Sequence, residues 1–255
     1  MHVGESGAGA STKTPAPVTL PTVEGIDLHA QHQADSSGGD FFDAIRIGQR
    51  IAFLLTDIAG TRQQTDPIAA ETQAAFHAKA TEFFGAPDAN LMDGSALLVQ
   101  SLNLALTAAG KQIHFAPTFI GCYDLDLGLL AYINAGGQTA ALRDSEGTRL
   151  LPNVAMPLGL FTHLTYEPSI QALEPGAKLL IVTKGVTQTM HHGTEFGDER
   201  VIEILKDSGE SSAATICQTV LEKARAFEAL SWTKRLFSKN AQPEDMTALV
   251  LARSR

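Results

Sequence analysis

Ile51-Ala-Phe-Leu-Leu-Thr-Asp57-Ile-Ala-Gly60 is the stretch on which the fold turns. A short apolar run ends on a carboxylate, and a glycine follows three positions later. That is the pattern of a strand buried on both faces and feeding a turn. Upstream, Gly38-Gly39-Asp40-Phe41-Phe42-Asp43 sets two acids beside a Gly-Gly pair with a permissive backbone. Far downstream, Glu244-Asp245 directly precedes an apolar run over 247–252. Acids at strand ends, distant in sequence, suit a hard cation, because Mg2+ and Mn2+ prefer carboxylate, carbonyl and water oxygens. Two such ions about 4 Å apart activate a water and clamp a phosphoryl group. Taken singly, each acid reads equally well as a solvated turn residue.

The surrounding pattern is α+β. Helical spacing predicts helices over 66–84, 88–109, 194–206 and 211–230, with starts at Asp66-Pro67 and Asp88. Residues 118–124 and 129–134 read as strands joined by a turn at Asp126-Leu-Gly128, and 178–183 reads as another buried strand. Strands joined by short turns, with helices in pairs, point to antiparallel sheets rather than a doubly wound parallel fold.

Composition narrows the class. The 255 residues suit one sizeable domain or two small ones, and 44% hydrophobic content can fill a core. A formal net charge of −9 argues against nucleic acid as a partner. It leaves room for a phosphorylated protein, since a bound cation inverts the field of an acidic cleft. Cys122 and Cys217 lie in apolar stretches and read as reduced core thiols. No apolar run reaches the length of a membrane span and no apolar signal core opens the chain, so a soluble cytoplasmic protein is expected. Residues 1–21, rich in Gly, Ala, Ser, Thr and Pro, read as a disordered tail or linker ahead of a domain over 22–255.

Seven segments, in order, resemble the SpoIIE/RsbU branch of the PPM-type (type 2C) serine/threonine phosphatases. They are Ser37-Gly-Gly-Asp-Phe-Phe-Asp43, Leu54-Leu-Thr-Asp-Ile-Ala-Gly60, Tyr132-Ile-Asn-Ala-Gly136, Met156-Pro-Leu-Gly-Leu160, Leu179-Leu-Ile-Val-Thr-Lys-Gly-Val-Thr187, Glu195-Phe-Gly-Asp-Glu-Arg200 and Glu244-Asp-Met-Thr247. The resemblance covers nearly all of residues 22–253. It implies an αββα four-layer sandwich of two antiparallel sheets flanked by helices. It also implies a dinuclear Mn2+ or Mg2+ site, and hydrolysis of phosphoserine or phosphothreonine by metal-activated water. The implied substrate is a phosphorylated regulatory protein of the anti-sigma factor antagonist class. The positions of Asp40 and Asp57 bind metal in that branch, with Asp57 bridging both ions. Ile58 stands where a backbone carbonyl is a ligand, and Glu244 or Asp245 supplies another.

Three positions depart from the pattern. Lys184 replaces a metal-binding Asp. An ammonium has three donors and no acceptor, so it repels a cation or stands in for one; alternatively it swings to solvent on its flexible stem. After Asp57 the branch continues Gly-His-Gly, whereas this chain has Gly60-Thr61-Arg62 and lacks the imidazole. Arg62 either holds a phosphoryl oxygen with its fork of donors or is an exposed turn residue. Gly136-Gly137 replaces Gly-His in a structural loop, His191-His192 reads as a solvated turn, and Trp232 reads as a loop anchor. Two functional readings stay open: a phosphatase with reduced activity, or a pseudophosphatase that binds a protein or phosphopeptide.

Overall fold

The computed structural model describes residues 13–34, 38–109, 115–152, 155–229 and 244–255. Trp232, Ser37 and the first twelve residues of the expected tail lie outside the described residues. Residues 13–21 run as non-regular chain along the domain. There the Ala16 backbone exchanges hydrogen bonds of 2.7 and 3.2 Å with the Gln73 amide, and Val18 packs on the core.

Two five-stranded antiparallel sheets face each other. One contains β1 (Ile26–Gln33), β6 (Thr139–Asp144), β7 (Gly147–Leu150), β9 (Lys178–Val182) and β12 (Met246–Arg253), in the order β1-β12-β9-β6-β7. The other contains β2 (Asp40–Ile47), β3 (Arg50–Asp57), β4 (Thr118–Asp124), β5 (Leu129–Ala135) and β8 (Ser169–Ala172), in the order β2-β3-β4-β5-β8. Helices α1 (Arg62–Phe84) and α2 (Leu91–Ala109) cover the second sheet. Helices α4 (Gly197–Lys206) and α5 (Ala213–Ala229) cover the first. A single turn, α3 (Lys184–Thr187), and a small hairpin of β10 (Met190–His191) and β11 (Thr194–Glu195) link β9 to α4. This is the expected four-layer α+β sandwich.

The layers follow from side-chain alternation. In β3, Ile51, Phe53 and Leu55 point into the apolar layer between the sheets, while Ala52 and Leu54 point toward α1 and α2. With both faces buried, the strand shows no polar alternation, which is why the sequence run is continuous. In β12, Leu249 and Leu251 join the middle layer, whereas Ala248 and Val250 meet α4 and α5.

The helix starts differ from expectation: α4 begins at Gly197 rather than 194, because 194–195 pair in β11, α5 begins at Ala213 rather than 211, and α1 and α2 shift as well. Helix α1 begins at Arg62, one turn before Asp66-Pro67, because Thr61 caps it and the Gln64 side chain accepts the Thr61 N–H at 3.0 Å. Pro67 falls inside the helix and forgoes one backbone bond. Helix α2 starts at Leu91 because Asn90 Oδ1 accepts the N–H groups of Met92 and Asp93 at 2.8 and 3.1 Å.

Arg50 ties the loop between these helices to the sheet. Its buried guanidinium donates to Asp124 Oδ2 at 3.1 Å and to the carbonyls of Phe84, Ala86, Pro87 and Ala89 at 2.8 to 3.1 Å. Arg50→Met leaves the Asp124 carboxylate buried without its guanidinium, so it should lower unfolding free energy by about 3–5 kcal/mol in urea titrations. Both cysteines are free, and burial pushes each thiol up to about 12. At pH 8 neither should react with a disulfide reagent until the chain is unfolded, and rapid native-state labelling of either would contradict their placement.

Candidate metal centre

Asp40 opens β2 and Asp57 closes β3, and the antiparallel register pairs them directly. Gly39 makes this possible: a Cβ there would collide with the Ile58 carbonyl, to which the chain comes close enough for the Ile58 N–H to donate to Gly39 O at 2.9 Å. The other sheet meets this edge. Thr183 follows β9 and Thr247 lies at the start of β12, where Thr183 N donates to Thr247 O at 3.0 Å. Both hydroxyls donate to Asp40 Oδ2, at 2.8 and 2.6 Å. One carboxylate oxygen is therefore held by the opposing sheet, which leaves Asp40 Oδ1 outside that pair of bonds.

Asp40, Asp57, Ile58, Lys184, Glu244 and Asp245 line one cleft of about 430 Å³ at this end of the sandwich. Gly185 again permits close approach, since a Cβ there would strike the Asp245 carbonyl. Asp245 is buried, with Oδ2 2.8 Å from Arg62 Nη2 and 3.6 Å from His32 Nε2. The ring of His32 also meets Thr247 Oγ1 through Nδ1 at 2.9 Å. Arg62 is thus drawn onto Asp245 at the cleft margin. Lys184, half-buried at the first position of α3, makes no ion pair within 4 Å among the described residues, but its charge reaches Asp57.

The electrostatics record crowded anions. Burial, then the Asp57 charge, raises the Asp40 carboxyl well above the usual range, against the two threonine hydroxyls that lower it. Burial, then Glu244, raises Asp57 to about 6, against the opposing pull of Lys184. Burial lowers His32, against the opposing pull of Asp245. The donor set is oxygen-rich and hard, which fits Mg2+ or Mn2+ rather than a soft metal. Yet among the described residues no three acids, histidines or cysteines are gathered as a metal-holding group. A divalent ion here would lean on one or two carboxylates, backbone carbonyls and water, as Mg2+ commonly does.

Several residues of this site had no role assigned from the sequence. Thr183, Thr247 and His32 are ordinary residues at strand ends, and only the register of β12 against β1 and β9 brings them to Asp40. Asp43 points the other way: its Oδ2 meets Gln73 Nε2 at 2.9 Å and His77 Nε2 at 2.8 Å, fastening α1 to β2. His191 and His192 stack edge to face in the β10–β11 hairpin, away from the acids.

The family model described as Stage II sporulation protein E (SpoIIE) matches residues 48–254. The chain belongs to the SpoIIE family. Protein IcfG of Synechocystis sp. (strain ATCC 27184 / PCC 6803 / Kazusa) is 28% identical to this SpoIIE-family chain over 215 residues. That match takes in 74% of the chain but 33% of IcfG, so the chain spans about a third of that relative's length. The SiaA-PP2C domain of Pseudomonas aeruginosa shares the fold at TM-score 0.69 and 17% identity, over 89% of this chain and 86% of that one. RsbX, crystallised in complex with magnesium, shares it at TM-score 0.62 and 14% identity, over 93% and 100%. The two solved structures show the same fold as this chain.

The threonine clamp on Asp40 is open to direct measurement. Thr247→Val removes a donor to a charged acceptor and strips His32 Nδ1 of its partner, so it should cost about 1.5–3 kcal/mol of unfolding free energy. Thr247→Ser should keep most of it, and equal stability of all three proteins in urea would mean that the clamp holds nothing.

Proposed function

We propose that this SpoIIE-family domain is a metal-dependent protein serine/threonine phosphatase that uses one divalent ion, Mn2+ or Mg2+, with the Lys184 ammonium in the place of a second. The observation that carries this reading is the charge balance of the cleft. Four carboxylates, of Asp40, Asp57, Glu244 and Asp245, meet two fixed cations, Lys184 and Arg62. The excess is two negative charges, the charge of one divalent ion. Asp245 already faces Arg62 and His32, so Asp57 with either Asp40 Oδ1 or Glu244, the Ile58 carbonyl and water are the groups that would hold the ion. Like charges about 4 Å apart oppose each other by roughly 4 kcal/mol at an effective dielectric near 20, so a second ion beside Lys184 is disfavoured.

An ion so bound supplies Lewis-acid charge stabilisation and lowers the pKa of a water. The chain's own groups do the rest. Lys184 draws the phosphoryl dianion into an otherwise repulsive cleft. Arg62 spends Nη2 on Asp245 and keeps its other N–H donors for a phosphoryl oxygen at the cleft margin. The substrate class is phosphoserine or phosphothreonine on a cytoplasmic regulatory protein, of the kind that antagonises anti-sigma factors.

A second reading, a pseudophosphatase that binds a phosphopeptide or protein without cleaving it, is favoured by the same lysine, because a cation that cannot dissociate suits holding a phosphate. Phosphate release from a phosphoserine peptide with Mn2+ separates the two. The wild type should turn over slowly and Lys184→Asp at least about tenfold faster, with calorimetry giving one tight Mn2+ site in the wild type and two in the variant. Strong wild-type turnover abolished by Lys184→Asp, or two tight wild-type sites, would sink the lysine-for-metal proposal. Peptide binding without turnover in both proteins would favour the second reading.

A further inference from the structure

The other end of the sandwich has the opposite character. A cleft of about 540 Å³ opens there between the start of β1, the β2–β3 turn, the end of β4 and the end of β12. Arg46, Arg253 and Arg255 line it, with Glu24 as the one side-chain carboxylate. Its walls are apolar at Val23, Ile26, Leu125 and Pro175. In a chain of net charge −9, three guanidinium groups around one cleft are a local reversal of sign.

None of the three arginines is used up. Arg46 gives Nε to the Gly48 carbonyl at 2.9 Å and Nη2 to Gln49 Oε1 at 3.3 Å. Arg253 gives Nη1 to the Leu173 carbonyl at 2.7 Å. Arg255 gives Nη2 to Glu210 Oε1 at 2.9 Å. A guanidinium has five N–H donors, so each retains donors in a planar fork that matches phosphate geometry. Those bonds to carbonyls also fix where the Arg46 and Arg253 forks stand.

The second observation is Tyr123. It is 0% exposed, it lines this cleft, and its hydroxyl has no hydrogen-bond partner among the described residues. Buried phenols nearly always find a partner, because an unsatisfied polar group in low dielectric is costly. Arg253 lines the same cleft, and its charge acts on this phenol. A phosphoryl oxygen is the acceptor that satisfies both at once.

We propose that this basic cleft binds a small phosphorylated molecule with an apolar body, its phosphoryl group held by Arg46, Arg253 and the Tyr123 hydroxyl, and its body against Val23, Ile26 and Leu125. The three guanidinium groups outnumber the two carboxylates, Glu24 and the Glu210 paired with Arg255, so the side chains leave a positive excess for a phosphoryl group, and the volume lies in the ordinary range for small-ligand sites. The site is separate from the acidic cleft and does not depend on the metal there.

Phenylphosphonate, which a phosphatase cannot hydrolyse, is the probe, with inorganic phosphate beside it. Calorimetry on the full chain without added metal should give one site, tighter for phenylphosphonate than for phosphate. Arg253→Gln and Arg46→Gln should each weaken it about tenfold. Tyr123→Phe should raise the melting temperature of the free protein, because it removes an unpartnered hydroxyl, and weaken binding about threefold or more. Lys184→Asp and Arg62→Ala, at the other end, should leave this affinity unchanged. Absence of binding, affinity indifferent to Arg46→Gln and Arg253→Gln, or affinity lost in Arg62→Ala would overturn the proposal. Arg46 is exposed near the end of β2, so its variant folds even if Tyr123→Phe disturbs the core.

Discussion

The bonds from Thr183 and Thr247 to a single oxygen of Asp40 are the constraint on which the functional end of this domain depends. Two sheets packed face to face hold each other through apolar side chains, which resist separation but set position loosely. A carboxylate gripped by two hydroxyls from the opposite sheet sets it closely, because hydrogen bonds are directional and those to charged acceptors are short. The clamp also fixes which Asp40 oxygen can serve the cleft. Two glycines serve the same edge: Gly39 and Gly185 stand where strand ends of one sheet approach within contact of the Ile58 and Asp245 carbonyls, and any side chain there would push those neighbouring strand ends apart.

The clamp works against electrostatics. Asp40 lies beside Asp57, with Asp245 near, in surroundings that disfavour charge. Hydrophobic packing over three apolar layers, with the Arg50 tie behind α1 and α2, supplies the stability that keeps these acids together. Active clefts often store unfavourable charge in this manner, and a bound cation or a covalent one relieves it.

Much of the fold was legible in the sequence for a physical reason. Strands buried on both faces, such as β3 and β9, must be continuously apolar, and a carboxylate at their ends stands out against that background. The β10–β11 hairpin was not legible, because strands of two residues carry no period. The start of α1 was misplaced because Asp66-Pro67 is a louder local signal than Thr61 with Gln64, although the latter pair forms the cap. At the site the acids and Lys184 were visible by type. The threonine clamp was not, since a hydroxyl at a strand end has no compositional signature and its meaning depends on a register set by residues far apart in the chain. Arg62 reads from sequence as a fork for a phosphoryl oxygen or as an exposed turn residue, but its partner Asp245 lies 183 residues away and no local pattern announces it.

Lys184 has a further consequence in terms of mass action. Bound metal ions come and go with their free concentration, so a cleft balanced wholly by ions empties in stages as that concentration falls. An ammonium attached to the backbone does not exchange with the ions in solution. Part of the positive charge at this site therefore does not vary with free metal, and on the proposed single-ion reading the occupancy of the site would vary with free metal to a lower order than where all of the positive charge is exchangeable. The same attachment makes that charge heritable: it is set by a codon and not by the ionic composition around the protein.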